Sequence, residues 1–485
     1  MLFTILALLP LCVLVYLLLF REVGLLKASG IVAAITFFLV FFFWEVRFLD
    51  LFWVSLKSIS LTFDIFLIVL GALFFQGFLK LSGHFQMMLD ELNKLTQSRW
   101  LLILILSWCF GAFLEGISGF GAPAALLAPF LVGLGLLPLE AIVICLLANS
   151  TAVTFGAMGT PIRVGLSSYL SDELVSTTAF MNLCVGVIIP IMMIHFLRVR
   201  KIAPIITFKS YAWAIVAGLS LLLPYYLMSF FAIEFPSVVG GGVSFFIMIF
   251  IIKATHKSNF SVKELLKSFY PYWPVIILLF LGRYFFPGKG INTSLGRHFS
   301  HNFIFFHPGL ILLIVVLILG RVLMKSFSFI SPLFRKNKEK MIQTTLSLFF
   351  MSSVSTLYLM TEFSSKRGML SLIGDMLGGE FYRYYAIFLG AFGSFLTGSA
   401  TVSNLLFGSL QVEMADSFHI SRDLILALQL SGASMGNMTS LLNIISVEGA
   451  LGVTSNLKEV FSYLLPYCIL ALLLFTVLLY LNPSS

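Results

Sequence analysis

Charged residues are scarce in this sequence: they make up 11% of its 485 residues, whereas hydrophobic residues make up 59%, and the mean hydropathy is +1.04. Soluble domains carry about 25% charged residues, so the composition excludes a soluble protein. Apolar runs of about 17 to 25 residues, the length of a membrane-crossing helix, recur from residue 2 to residue 481. We therefore expect an all-α polytopic membrane protein.

Cysteine and histidine are also few, and neither shows the spacing of a metal site. Three histidines, His298, His301 and His307, share one predicted outer loop without a nearby cysteine or acid in useful spacing, so we expect them to be solvated. The cysteines lie in separate apolar segments and are expected to be small buried hydrophobic residues; they are Cys12, Cys109, Cys145, Cys184 and Cys468. The sequence predicts no metal, cofactor or redox chemistry.

The net charge of +9 reflects topology and does not indicate a nucleic-acid partner. Basic residues cluster in loops between apolar runs, where the positive-inside rule expects the cytoplasmic side. The three clusters are Arg198, Arg200, Lys201 and Lys209; Lys253, Lys257, Lys263 and Lys267; and Arg335, Lys336, Lys338 and Lys340. Successive clusters are two crossings apart, so all three are predicted to face the cytoplasm.

About 12 membrane-crossing helices are predicted, together with two longer runs that glycines interrupt. The run at residues 2–20 lacks a preceding basic region and a cleavage site, so it is expected to remain as the first helix. The predicted crossings are residues 2–20, 28–44, 60–79, 139–158, 176–197, 211–231, 236–252, 272–286, 309–324, 341–361, 422–443 and 460–481. The interrupted runs, residues 100–137 and 382–412, are predicted re-entrant hairpins, the first entering from the cytoplasm and the second from outside.

The two interrupted runs resemble each other: GAFLEG at residues 111–116 and GSFLTG at 393–398 are identical at four of six positions. Seven predicted crossings separate them, and an odd number inverts the second copy. We expect one transporter domain, residues 1–485, in which repeats 60–197 and 341–481 flank connecting helices 198–340. Inverted repeats with discontinuous helices are typical of secondary transporters, which bind substrate near the membrane midplane.

Glu115 is the candidate proton-coupling residue, because an ionised carboxylate deep in a bilayer costs several kcal/mol and is usually protonated, paired or hydrated. The alternative is an acid at a helix end that hydrogen-bonds loop amides. Unwound backbone and helix N-termini would supply amides for an anionic group. The candidate substrate-binding residues are Gly116, Ser118, Gly119, Gly121, Asn149, Thr151, Arg163, Thr397, Ser399, Thr401, Asn404, Ser434 and Asn437.

Several candidates have structural alternatives. The polar residues within helices could equally form interhelical hydrogen bonds. Arg163, just after the helix-breaking Gly159-Thr160-Pro161, could bind a carboxylate or extend to the outer membrane interface. Asp64 and Arg283 lie in predicted spans, where they could pair, line a pathway or sit near an interface.

Two other functional classes are remote. Residues 116–119, GISG, match the short G-x-S-G motif of rhomboid intramembrane proteases, but a serine hydrolase needs a base and no histidine lies in the middle of a predicted span. A channel would show rings of charge or a carbonyl filter, which the sequence does not indicate. The sequence therefore does not predict an enzyme.

Two long segments resemble the bacterial L-lactate permease family. They are FLEGISGFGAPAALLAPFLVGLGLLPLEAIVICLLANSTAVTFGAMGTPI (113–162) and GSFLTGSATVSNLLFGSLQ (393–411), and SGASMGNMTSLLNI (431–444) is similar as well. The resemblance implies proton-coupled symport, by alternating access, of lactate, glycolate or a similar 2-hydroxymonocarboxylate across the bacterial cytoplasmic membrane. It implies that the partners are this carboxylate, protons and the lipid bilayer, with Glu115 as proton site.

The chain departs from the family pattern at two positions. An acid is usual where Ala400 stands, and a lysine is usual where Asn437 stands. If the acid and the lysine form an ion pair in relatives, losing both destabilises the protein less than losing one and leaving the other charge unpaired. If the lysine binds substrate, a different organic anion or altered coupling is the alternative function.

Overall fold

A computed structural model of the protein describes residues 2–21, 23–119, 121–202, 207–255, 260–286, 289–295, 299–377, 379 and 381–481. The described chain is mostly α-helical, which confirms the predicted polytopic helical class. Within it, eight helices are long and apolar enough to cross a membrane, or ten if each of two sharply bent helix pairs forms one span.

The helices of the first half include an unusually long one, α3, which contains the predicted crossing 60–79. The bounds are α1 (Leu2–Val15), α2 (Leu25–Phe42), α3 (Phe48–Leu81), α4 (His84–Asn93), α5 (Arg99–Leu104), α6 (Gly111–Ser118), α7 (Ala122–Gly133), α8 (Pro138–Asn149), α9 (Gly156–Arg163), α10 (Asp172–Gly186), α11 (Ile188–Val199) and α12 (Phe208–Ser229). Short π-helical turns extend α1 (Tyr16–Phe20) and join α5 to α6 (Ile105–Phe110), and 3₁₀ turns cover Ala152–Phe155 and Ser167–Tyr169.

The second half adds one element that the all-helical prediction did not include, a β-hairpin. The helices are α13 (Pro236–Thr255), α14 (Val262–Ser268), α15 (Tyr272–Phe285), α16 (Pro308–Leu323), α17 (Ile330–Thr361), α18 (Met369–Leu377), α19 (Tyr382–Thr397), α20 (Ala400–Ser417), α21 (Arg422–Asn437), α22 (Leu441–Leu451) and α23 (Leu457–Leu481). Strands β1 (Gly290–Leu295) and β2 (Phe299–Ile304) pair antiparallel between α15 and α16.

The first hairpin, α5 to α7, begins and ends on the same side of the molecule. A Cβ on Gly135, just after α7, would lie 3.1 Å from Nη1 of Arg99 at the start of α5. The Nε of Arg200 lies 3.3 Å from the Glu140 carboxylate, so a predicted cytoplasmic cluster shares this side. We call it the basic side.

The second hairpin, α19 and α20, has its two ends at the opposite side. The hydroxyl of Tyr382, at the start of α19, donates a 2.5 Å hydrogen bond to Gln411 near the end of α20. Two further contacts join this region to the segment after α9: Tyr169 OH donates to Ser409 Oγ at 3.2 Å, and Ser171 Oγ donates to the Asp423 carboxylate. The two hairpins therefore extend from opposite sides towards the interior.

Glycines allow α19 and α21 to pack with their backbones in contact. A Cβ on Gly432 would lie 2.0 Å from the carbonyl oxygen of Ile387, and one on Gly436 would lie 2.1 Å from that of Ala391. Close packing through small residues is the usual way in which membrane helices associate. This pair fixes the second hairpin against the helix that follows it.

The prediction that all five cysteines are buried was wrong for two of them. Cys109, Cys145 and Cys468 are buried, whereas Cys12 and Cys184 are exposed, and all five are free thiols. Cys12 lies on α1, where only three residues are buried, Ala7, Pro10 and Leu14. A helix at the periphery of a membrane protein exposes apolar residues, so hydrophobicity alone did not predict burial here.

Candidate functional site

The tips of the two hairpins meet at a cavity of about 570 Å³, the central cavity. A break in a helix contributes to each half of its wall. Around the tips and breaks, its lining from the first half is Glu115, Gly121, Val153, Gly156, Ala157, Thr160 and Pro161, and from the second half Thr397, Gly398, Ser399, Ala400, Thr401, Val402, Asn437, Leu442 and Asn443.

Two glycines lie where α6, the first arm of the first hairpin, ends at the hairpin tip. Gly119 has φ 55° and ψ −156°, and Gly121 has φ 68°, conformations that a side chain disfavours. A Cβ on Gly119 would also lie 2.6 Å from the Cβ of Ala157. The tip therefore packs directly against the broken helix that follows it in the chain.

The helix after the first hairpin breaks earlier than the sequence predicted. We expected residues 139–158 to be continuous and the break to fall at Gly159-Thr160-Pro161, but α8 ends at Asn149. Ala157 and Met158 adopt left-handed conformations, with φ of 44° and 55°, before α9 becomes regular. Such residues cost about 1 to 3 kcal/mol each and persist where the surroundings enforce them. The packing of Ala157 against the hairpin tip is one such constraint.

The freed backbone of this break is satisfied by side chains. Thr160 Oγ1 donates to the carbonyl oxygen of Ala157 at 2.6 Å, and Asn404 Nδ2 of the second hairpin donates to that of Pro161 at 3.0 Å. Asn404 does not line the central cavity. It links the two halves of the molecule by supporting the first break.

Glu115 is buried at the inner end of α6, with 3% of its surface exposed, and it lines the central cavity. Asn149 Nδ2 donates a hydrogen bond to its Oε2 at 3.1 Å. Within the described ranges, no Lys, Arg or His nitrogen lies within 4.0 Å of this carboxyl group. The structure thus presents a buried acid whose described partner is a neutral side-chain amide at the end of α8, instead of the loop amides of the alternative interpretation.

The second hairpin contributes a polar wall without charge. Gly398 ends α19 with φ 69°, and Ser399 caps α20 by accepting a hydrogen bond from Val402 N at 3.4 Å. Thr397 Oγ1 donates to the carbonyl oxygen of Gly393 at 2.8 Å. Together with Thr401, these residues line the cavity, so the structure brings three of the predicted hydroxyl side chains together.

Two asparagines complete this wall at the second break, the interruption between α21, which ends at Asn437, and α22, which begins at Leu441. Asn437 Nδ2 donates to the carbonyl oxygen of Gly398 at 3.1 Å, and Asn443 Nδ2 donates to Asn437 Oδ1 at 2.9 Å. Asn437 is a predicted binding residue, whereas Asn443 was missed. Both amides face the tip of the second hairpin.

Other predicted binding residues lie outside the cavity lining. Gly116 packs against α13, where a Cβ would lie 2.5 Å from Val238 N. Ser118 Oγ donates to the carbonyl oxygen of Leu114, and Ser434 Oγ donates to that of Ser431, each at 2.8 Å. The remaining ones, Gly119, Asn149, Thr151 and Asn404, are buried around the two breaks or against the tips.

The structure places Arg163 away from the central cavity, on the side opposite the basic clusters. It forms an ion pair with Glu234, and 12% of its side chain and 15% of that of Glu234 are exposed. Both residues line a separate cavity of about 330 Å³, together with Arg283. Arg163 is therefore held by protein partners, which differs from both the carboxylate-binding and the interfacial interpretations.

The expectation of solvated outer histidines was wrong for His301 and His307, which are 7% and 3% exposed. Their Nε2 atoms lie 3.2 and 3.7 Å from the carboxylate oxygens of Asp64 on α3. His298 lies outside the described residues. Nor do His, Cys, Asp or Glu side chains in the described ranges form a group of three or more that could hold a metal ion.

Sequence reasoning also missed the open end of the central cavity, which α17 and the start of α2 line. Its residues there are Lys27, Lys340, Gln343, Thr344 and Ser347. The last four recur on α17 at the spacing of one helix face. This polar stripe beside a basic cluster is a signal that could have indicated a cavity wall.

Membrane-crossing helices that enclose a polar cavity between two broken segments define the class of this protein, an integral membrane permease. A family model for L-lactate permease matches residues 3–268 and 286–483. The chain belongs to the L-lactate permease family, whose members are transporters and not enzymes.

Named relatives are similar over most of the chain. A Haemophilus influenzae protein provisionally named L-lactate permease is 29% identical, over 86% of this chain and 87% of its own. The L-lactate permease of Streptococcus iniae is 29% identical, over 73% and 78%, and the glycolate permease GlcA of Escherichia coli is 25% identical, over 82% and 80%. Among solved structures, the YdaH transporter of Alcanivorax borkumensis matches with 15% identity and a TM-score of 0.43, over 85% of this chain and 84% of that one.

Proposed function

We propose that this protein imports a small monocarboxylate, L-lactate, glycolate or a similar 2-hydroxy acid, together with a proton across the bacterial cytoplasmic membrane. The observation that carries the proposal is the position of Glu115, a buried acid without a described cationic partner, on the wall of the central cavity. The names of the relatives supply the substrate class, because they are called permeases of L-lactate and glycolate.

Proton coupling rests on the surroundings of Glu115. An ionised carboxylate without a cation is unfavourable in a membrane interior, so the carboxyl group takes up a proton unless water solvates it. An incoming anion strengthens this preference, since two negative charges in one cavity repel each other. Glu115 is therefore suited to carry a proton whenever the carboxylate is bound.

The uncharged wall of the second hairpin suits the rest of the substrate. Thr397, Ser399 and Thr401 offer hydroxyl groups, and Asn437 offers an amide, for the 2-hydroxyl and carboxylate oxygens. The N-terminus of α20 begins at this wall, and its free amides carry partial positive charge. A 2-hydroxy acid has the hydrogen-bonding groups for such a surface.

Alternating access is supported by the paired construction of the molecule. The hairpins extend from opposite sides. When the two copies are aligned in sequence so that Glu115 matches Thr397, the left-handed residues 157–159 of the first break match residues 439–441 at the second break. We take residues 60–197 and 341–481 as inverted repeats linked by 198–340. Since Lys27 and Lys340 line the open end, we interpret this conformation as open to the cytoplasm.

Transport of a different organic anion is the second candidate. Ala400 and Asn437 line the cavity where the family pattern places an acid and a lysine. Neither residue carries charge, so recognition at this wall depends on neutral hydrogen bonds. A solute that needs a lysine at this place would bind weakly.

The test is uptake of labelled L-lactate, glycolate and acetate by purified protein in liposomes under an imposed pH gradient, inside alkaline. We expect the wild-type protein to accumulate a 2-hydroxy acid. The Glu115→Gln variant should no longer accumulate it, but should still exchange internal for external substrate. Glu140→Gln is the matched control, because Glu140 is also buried but pairs with Arg200 outside the cavity. Gradient-driven accumulation by Glu115→Gln would remove Glu115 from coupling, and failure to accumulate any carboxylate would refute the substrate class.

A further inference from the structure

The charges that line the central cavity are divided between its two ends. Among its described lining residues, the ionisable ones are Glu115, Lys27 and Lys340. Glu115 is at the buried end, beside the hairpin tips, whereas Lys27 lies at the start of α2 and Lys340 lies in the first half of α17, within a basic cluster. With a protonated Glu115, the lining carries two positive charges and no negative one.

Lys340 makes no ion pair within the described ranges. Its neighbour Glu339 instead accepts a hydrogen bond from Gln343 Nε2 at 3.0 Å. Burial first, and then the like charge of Lys80 at the end of α3, disfavour the charged form of Lys340, and a carboxylate beside it would favour that form. The ammonium group of Lys340 is therefore available to an anion that enters the cavity.

The residues beyond Lys340 form a polar path from the mouth towards the tips. Gln343, Thr344 and Ser347 follow at helical spacing on α17 and line the same cavity. The tip of the second hairpin, from Thr397 to Val402, lines this cavity as well. An anion released from the tips would meet amide and hydroxyl groups along α17 before it reached a cation.

We propose that Lys340 is the carboxylate-binding residue at the cytoplasmic mouth of the central cavity, with Lys27 as a second, more exposed cation. This inference rests on the proposed function and specifies which residue recognises the charge of the substrate. The amide of Asn437 at the tips hydrogen-bonds a carboxylate but does not neutralise it, so the charge of the substrate is met by a cation only at the mouth of the cavity, on another helix. Lys340 thereby distinguishes a carboxylate from an uncharged analogue.

The experiment compares Lys340→Gln, Lys340→Arg and the control Lys338→Gln, an exposed lysine of the same cluster that does not line the cavity. Binding of L-lactate and of its uncharged amide, lactamide, to purified protein is measured by calorimetry, and counterflow is measured from the cytoplasmic face in oriented liposomes. We expect Lys340→Gln to weaken lactate binding and raise the half-saturation concentration about tenfold, with lactamide binding unchanged. Lys340→Arg and Lys338→Gln should stay within about twofold of wild type.

The outcomes separate this inference from the proposed function. Equal lactate binding by wild type and Lys340→Gln, or an equal loss for lactate and lactamide, would overturn the role of Lys340. A wild-type protein that binds lactate through Lys340 but does not transport it would refute the proposed function and leave the binding site in place.

Discussion

The carboxyl group of Glu115 occupies the space that a side chain at position 156 would need. A Cβ on Gly156 would lie 2.5 Å from Oε1 of Glu115. The acid is carried by the first hairpin, and the glycine belongs to the break after α8, so two separate discontinuities in the chain form one pocket. The break thus positions the acid as well as exposing backbone to the cavity.

Gly156→Ala is expected to displace the Glu115 carboxyl group and to reduce gradient-driven uptake at least tenfold. The effect should be steric, because Gly156 has φ −65° and ψ 159°, which alanine adopts readily. Uptake in liposomes measures the loss, and the melting temperature in detergent checks folding. Gly133→Ala, where nothing lies within 4 Å of the new Cβ, is the control. Unchanged coupling in Gly156→Ala would mean that the carboxyl position is unimportant.

Asn149→Leu should weaken coupling through the same acid. The substitution preserves approximate volume but removes the 3.1 Å hydrogen bond to Glu115. A buried hydrogen bond to such a group is worth about 1 to 3 kcal/mol, so we expect a roughly 5- to 150-fold decrease in gradient-driven uptake. In a Glu115→Gln background the same substitution should add little. Fully additive effects would show that Asn149 acts independently of Glu115.

The Arg163–Glu234 ion pair is expected to stabilise the fold on the side opposite the basic clusters. Glu234→Gln leaves a largely buried guanidinium without its counter-charge, and breaking a buried pair costs about 3 to 5 kcal/mol. The melting temperature should therefore fall by several degrees, and Arg163→Glu combined with Glu234→Arg should recover more than half of the loss. Independent, additive effects of the two reversals would contradict a direct pair.

The broken helices were predictable from sequence because their signals are local. Glycines within an apolar run mark the place of a break. The similarity of GAFLEG to GSFLTG located the two hairpin tips and showed that one carries an acid, Glu115, where the other carries a hydroxyl residue, Thr397. The exact residues at which the helices break depended on packing, so they were predicted less accurately than the existence of the breaks. Gly159 and Pro161 suggested where the helix after the first hairpin ends, yet contact with the hairpin tip moves the break towards Asn149.

Partners that are distant in sequence were not predictable. Asp64 is separated from His301 by most of the chain's first half and the connecting helices, and no periodic pattern relates them. The same applies to Asn404, which supports the Pro161 carbonyl across the molecule, and to Lys340, which appeared to be only one member of a cytoplasmic cluster. A residue's helix can be predicted locally, whereas the opposing side chain depends on the assembled fold.

Acidification should destabilise the protein through His307, which lies in the loop before α16, outside the membrane-spanning helices. Burial, assisted by Arg163 and His301 and opposed by Asp64, lowers the pKa of His307 to about 4. The pKa of this residue in the unfolded chain is near 6.5. Between about pH 6.5 and 4 the unfolded chain therefore binds more protons than the folded protein, so the free energy of unfolding falls as the pH drops through this range. The contribution is on the order of 3 kcal/mol.

His307→Asn tests this because asparagine can also accept the hydrogen bond from Gly309 N that begins α16. The variant should lose less stability than wild type between pH 6.5 and 4, measured as melting temperature in detergent at stepped pH. His419→Asn, which replaces an exposed histidine, should retain the wild-type slope. A variant His307→Asn with an unchanged slope would show that His307 does not titrate in this range.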